Sequence, residues 1–149
     1  MKAPELSRKL AEFSHSLASP AIPAEVIANA KLAILDCLGV SVLAVSHELG
    51  EIIVRLAHKE KWEGHCTIWG SAACAGPRDA AFANASLAHA LDYDDGGHVT
   101  TYILAASLAL GEHRAVAGKT LLEAFVAGRE ARMSLNAVFS RRFEGMGPG

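Results

Sequence analysis

A chain of 149 residues with 51% of them in the hydrophobic class can bury one core as a single domain, and 14 Lys+Arg against 16 Asp+Glu leave a net charge of −2. No basic block could neutralise a run of phosphates, which argues against nucleic acid, and the charge-dotted N-terminus fits neither a signal peptide nor a membrane span. Three scattered cysteines, Cys37, Cys66 and Cys74, with no C-x-x-C pair, argue against a disulfide framework or structural zinc and fit a reducing cytoplasm.

Pro4-Glu5 is a helix-start pair, and Leu6, Leu10, Phe13 and Leu17 recur at helical spacing, which predicts an amphipathic helix of about three to four turns. Pro20 and Pro23 break it, because proline lacks an amide donor and pushes the preceding residue out of the α region. A second helix is expected from Pro23 to about Val45. It is mostly apolar, but Glu25, Asn29, Lys31 and Asp36 interrupt it too often for a bilayer segment, so it reads as a buried helix with Cys37 as a small core hydrophobe. Gly39 in its middle implies the close approach of another helix. Ser46-His47-Glu48 resembles a third start, with Ile52, Ile53, Leu56 and Ala57 on one face, Arg55, Lys59, Glu60 and Lys61 opposite, and His47 and His58 solvated.

Cys66-Thr67-Ile68-Trp69 is the only strand-like segment and has no obvious partner. Neighbours on an extended chain point to opposite sides, so His65 and Cys66 do not make a direct base–nucleophile pair. Residues 72–77 read as a small-residue loop. From Arg78 or Asp79 onward, alanines at 80, 81, 83, 85, 88 and 90 give a helix surface that neighbours can approach closely, which predicts a deeply embedded central helix. Thr100 or Thr101 is placed to cap the run 103–110, which Gly111-Glu112-His113 ends. Gly118-Lys119-Thr120 is not a phosphate loop, since the glycine needed five residues earlier is His113; it reads as a helix N-terminus with Thr120 as cap. The expectation is an all-α fold of about six helices with at most one short strand-like segment.

Polar reactive groups are densest in residues 84–98, N-A-S-L-A-H-A-L-D-Y-D-D-G-G-H. On a helical reading His89, Asp92 and Asp95 share a face, and Gly96-Gly97 end the helix so that His98 returns near its C-terminus. Three uses are open to such a set. The carboxylates could cap helix ends or form salt bridges; Asp92, Asp94, Asp95 and His98 could hold a hard divalent cation; or an imidazole near neutral pKa, oriented by a carboxylate, could move a proton.

The chain resembles the N-terminal part of the MmgE/PrpD family, which includes 2-methylcitrate dehydratase, cis-aconitate decarboxylase and iminodisuccinate epimerase. The resemblance lies in I-P-A-E-V-I-A-N-A-K-L-A-I-L-D-C-L-G from Ile22, T-I-W-G from Thr67 and D-A-A-F-A-N-A-S-L-A-H-A-L-D-Y-D-D from Asp79. It implies a helical domain that pairs with an α/β lid domain around an active site with neither metal nor other cofactor, acting on small di- or tricarboxylates. By position, Asp92 matches the first acid of the family's triplet and His98 its downstream histidine, here separated from the acids by Gly96-Gly97 alone. Asp92 and His98 are therefore the implied catalytic pair, with Asn84, His89 and Asp95 binding substrate or supporting the site.

The resemblance further implies a 2-methylcitrate dehydratase-like elimination by acid–base catalysis, with decarboxylation or epimerisation as the alternatives. Family members are much longer, so the chain reads as an N-terminal part lacking the lid domain and the return of the helical domain. Pocket cations are scarce, with Arg141 and Arg142 as candidates. A half-length helical domain should leave apolar faces of residues 24–45 and 103–110 uncovered, which predicts a homodimer, or else an inactive helical module that mainly self-associates.

Overall fold

Each proline-marked start and each run of helical spacing becomes a helix in the computed structural model, which describes residues 3–17, 22–93 and 95–144. Among these residues there are six helices: α1 Ala3–Ser16, α2 Ala24–Ala44, α3 Glu48–Lys59, α4 Pro77–His89, α5 Val99–His113 and α6 Gly118–Glu144. Between α3 and α4 lie two short strands, β1 Cys66–Thr67 and β2 Cys74–Ala75. Pro23 precedes the first residue of α2 and Pro77 opens α4, positions where the missing amide hydrogen costs nothing. On α1, Glu5–Lys9 and Arg8–Glu12 pair at i,i+4 across the exposed face.

Helix α4 is the centre, as its alanines predict. Ala80, Ala83, Asn84, Leu87 and Ala88 are fully buried, and α4 touches α2, α3, α5 and both strands. Its most extensive contact is with α5. One core cluster joins α3, the strands, α4 and α5 through Ile53, Cys66, Ala75, Leu87 and Ala109. A second joins α2, α4, α5 and α6 through Cys37, Ala88, Leu104 and Phe125, with Trp69 packed among them. Gly128 lets α6 close onto α5: a Cβ there would lie 2.8 Å from Ile103 Cγ2.

Four expectations need correction. The strand-like run has a partner, since β1 pairs antiparallel with β2 in the register Cys66↔Ala75 and Thr67↔Cys74. That partner lies in the small-residue stretch read as a loop, where two paired residues leave no alternation to detect. Helix α2 is not buried all round: Ala30, Cys37, Ser41 and Ala44 face inward, while Leu32, Leu35, Val42 and Leu43 are exposed. By length and composition alone α2 could also cross a membrane, a test that core helices pass too. Gly39 accommodates no neighbour, because nothing lies within 4 Å of where its Cβ would be. Finally, Thr100 and Thr101 lie inside α5 and Thr120 inside α6, so none of them is the residue preceding its helix.

Candidate active site

The stretch 84–98 leaves the helix earlier than its spacing suggests. Helix α4 ends at His89, the Asp92 amide donates to the His89 carbonyl at 3.1 Å, and Asp92 turns into the left-handed region with φ 54°. Gly97 and His98 follow there with φ 81° and 57°. Glycine adopts this conformation freely, but at Asp and His it costs energy that the surrounding structure must offset, and such positions cluster at functional sites. The turn brings the chain back on itself: the rings of His89 and His98 meet edge to face, with centroids 4.3 Å apart. One ligand-capable atom from each of His89, Asp92 and His98 lies within 4.8 Å of the others, and all three residues are exposed.

Asp95 does different work. Its Oδ1 accepts the Thr100 amide at 3.0 Å and its Oδ2 accepts the Thr100 hydroxyl at 2.8 Å, so it caps the N-terminus of α5. Arg129 on α6 donates from Nη1 to Asp95 Oδ2 at 2.8 Å and also to the Thr100 hydroxyl, while its guanidinium lies over the Phe125 ring. The His98 amide donates to the Asp95 carbonyl at 2.8 Å. Asp95 thus fixes the entry to α5, and with it the backbone from which His98 projects. It is not part of the His89–Asp92–His98 group.

Asn84 is fully buried one turn before Ala88, and its amide is turned toward β1. Its Oδ1 accepts the Trp69 amide at 2.9 Å and its Nδ2 donates to the Thr67 carbonyl at 2.8 Å. It ties the T-I-W-G segment to α4 and does not reach the imidazoles. Asp94 lies outside the described residues, and the side chains of Arg141 and Arg142 fall outside the described ones.

An open cavity of about 530 Å³ lies beside the imidazoles, lined by Leu49, Phe82, Ala85, Ser86, His89, Gly97, His98, Thr101 and Tyr102. Cavities of roughly 300–1,000 Å³ are the range that holds small organic ligands. Two smaller cavities, one against α2 and α6 and one against α3, carry neither of these imidazoles. Sequence reasoning missed Tyr102 and the cation behind it: Arg132 Nε donates to the Tyr102 hydroxyl at 2.7 Å. They stand thirty positions apart, and no sequence pattern links them. The N-terminal end of α5, opening at Val99, adds the partial positive charge of its dipole beside His98.

The family model for the MmgE/PrpD N-terminal domain matches residues 8–147 of the chain. Comparison with curated proteins and with solved structures gives no match. With nearly its whole length matched to that domain, including the turn that joins His89, Asp92 and His98, the chain belongs to the MmgE/PrpD family.

Proposed function

We propose that this chain supplies the acid–base side of a metal-independent lyase-type active site for small di- or tricarboxylates, with elimination of water from a 2-methylcitrate-like hydroxy acid as its reaction. The observation that carries the reading is the convergence of His89, Asp92 and His98 beside a cavity of about 530 Å³. Elimination breaks a C–H bond beside a carboxylate and a C–O bond on the adjacent carbon. His98 accepts the carbon-bound proton, the leaving hydroxyl takes a proton from His89 and departs as water, and the electron pair of the C–H bond becomes the new double bond. Asp92 holds the imidazole in place and stabilises its protonated form. The substrate carboxylates are met by the Arg132–Tyr102 pair.

The test is titration with 2-methylcitrate, following the imidazole resonances of His89 and His98 by NMR, and turnover as ultraviolet absorption of the unsaturated product. Saturable shifts at both histidines, with turnover lost in His98→Ala, are expected. Resonances that stay unmoved at saturating substrate would overturn the assignment of this cavity.

A further inference from the structure

At the opposite, C-terminal end of α5 a second group of ligating side chains converges. His65 lies just before β1, Cys66 opens β1 and His113 is the last residue of α5. One ligand atom from each lies within 4.8 Å of the others. The two imidazoles are exposed and stacked, with centroids 5.4 Å apart and planes 15° from parallel. Cys66 is fully buried behind them, its thiol donating to the Ala109 carbonyl at 3.3 Å.

We propose that His65, Cys66 and His113 bind a thiophilic divalent cation of the zinc class, separately from the acid–base site. Two imidazole nitrogens and one thiolate are a ligand set suited to zinc, with bonds of about 2.0–2.1 Å to nitrogen and about 2.3 Å to sulfur. Those lengths in a tetrahedron set ligand atoms roughly 3.3–3.6 Å apart, so the group, whose ligand atoms lie within 4.8 Å of one another, has to close by at most about 1.5 Å, which rotation of two exposed imidazoles supplies. The fourth position opens to solvent on the imidazole side.

The electrostatics favour a cation in two independent ways. Glu112 is held by the Thr67 amide at 2.8 Å and the Thr67 hydroxyl at 2.9 Å, and its negative charge acts on Cys66. His113 sits at the C-terminal end of α5, where the helix dipole is negative. Without a metal, burial first, then Glu112 and Cys74, push the Cys66 thiol upward. Binding forms a metal–sulfur bond and releases the thiol proton to solvent, so uptake is coupled to pH. The ion would staple the start of β1 to the end of α5.

The experiment is a cobalt(II) titration of the full chain carrying Cys74→Ser, which removes the exposed thiol. One equivalent should bind with a thiolate-to-cobalt charge-transfer band and the visible bands of a tetrahedral ion, and zinc should displace it. His65→Ala and His113→Ala, both at exposed positions that leave the core intact, should each weaken binding by roughly tenfold or more. Absence of the charge-transfer band overturns the proposal. So does a band that survives His65→Ala and His113→Ala, or cobalt binding that is lost only with Asp92→Asn.

Discussion

Asp92 and Asp95 are three residues apart and hold opposite positions in the site, so removing each in turn separates folding from chemistry. Asp95→Ala deletes both hydrogen bonds from Thr100 at the start of α5 and the 2.8 Å ion pair to Arg129. The side chains of that pair are 32% and 28% exposed, which places it between a surface pair at about 0–1 kcal/mol and a buried one whose breaking costs about 3–5 kcal/mol. Taking about 2 kcal/mol for the pair and about 1 kcal/mol for the lost cap gives about 3 kcal/mol. In a chain of this length that lowers the melting temperature by roughly 6–12 °C. Asp92→Asn should change stability by less than about 0.5 kcal/mol, because the residue is exposed and asparagine adopts the left-handed conformation readily. Its effect should fall on turnover instead, roughly a hundredfold in protein that carries out the reaction. Circular dichroism melts of both variants, paired with the ultraviolet turnover assay, check this. An Asp95→Ala chain that melts with the parent would refute the account of the α5 cap; an Asp92→Asn chain that melts several degrees lower yet turns over normally would make Asp92 structural.

Asn84→Ala should cost about 2–4 kcal/mol, since it leaves the buried Trp69 amide and Thr67 carbonyl without their side-chain partner; a melting temperature equal to the parent's would show that the clamp is not needed. In the metal-free chain Cys66 makes stability pH-dependent on the alkaline side. Below the ordinary thiol value of 9.0 folded and unfolded chains both keep the proton; above it the unfolded chain releases the proton while the folded one retains it, so stability falls as pH rises toward the raised folded value. Urea unfolding between about pH 8 and about pH 10 should show the decline, Cys66→Ala should flatten it, and equal slopes in the two chains would count against it. Leu32, Leu35, Val42 and Leu43 form an uncovered stripe on α2, and we propose that a second copy covers it; Leu35→Glu should then shift sedimentation from dimer to monomer, and a parent chain that is already monomeric at micromolar concentration would end the proposal.

Much of the fold was readable because local chemistry and global packing agree. Proline marked the start of α2, and the alanines of α4 foretold that neighbouring helices approach it closely, whereas Pro77, read as the end of a loop, is the first residue of α4. The reading failed on α2, whose apolar residues run nearly all the way round the helix, so the sequence pattern carries no information about which face is covered. Gly39 falls on the uncovered side between Leu35 and Val42, where its small size meets no neighbour. In the candidate site, the acidic cluster marked the turn between α4 and α5, yet it could not say which carboxylate does what. Asp95 finds Arg129 thirty-four residues away and Asn84 finds Thr67 seventeen residues back, partners that only the packing of α4, α5 and α6 defines.

The same packing explains why reactive groups could accumulate here. Small and aliphatic side chains of α4 and α5 share both core clusters, Leu87 with Ala109 in one and Ala88 with Leu104 and Ala105 in the other, while His89, Asp92 and His98 are exposed. A turn leading from one well-packed helix to another can therefore hold two left-handed non-glycine residues, because the packed helices on either side and the Asp95–Arg129 anchor help to offset the strain. The backbone that carries His98 is tied to α6 through Asp95, whose carbonyl accepts the His98 amide and whose carboxylate accepts from Arg129. Arg129→Met, which keeps packing over Phe125 but loses the anchor, should weaken turnover and broaden the His98 resonance while the helical signal of circular dichroism stays at its parent value. A sharp, unmoved His98 resonance in that variant would show that the loop holds its shape without the anchor.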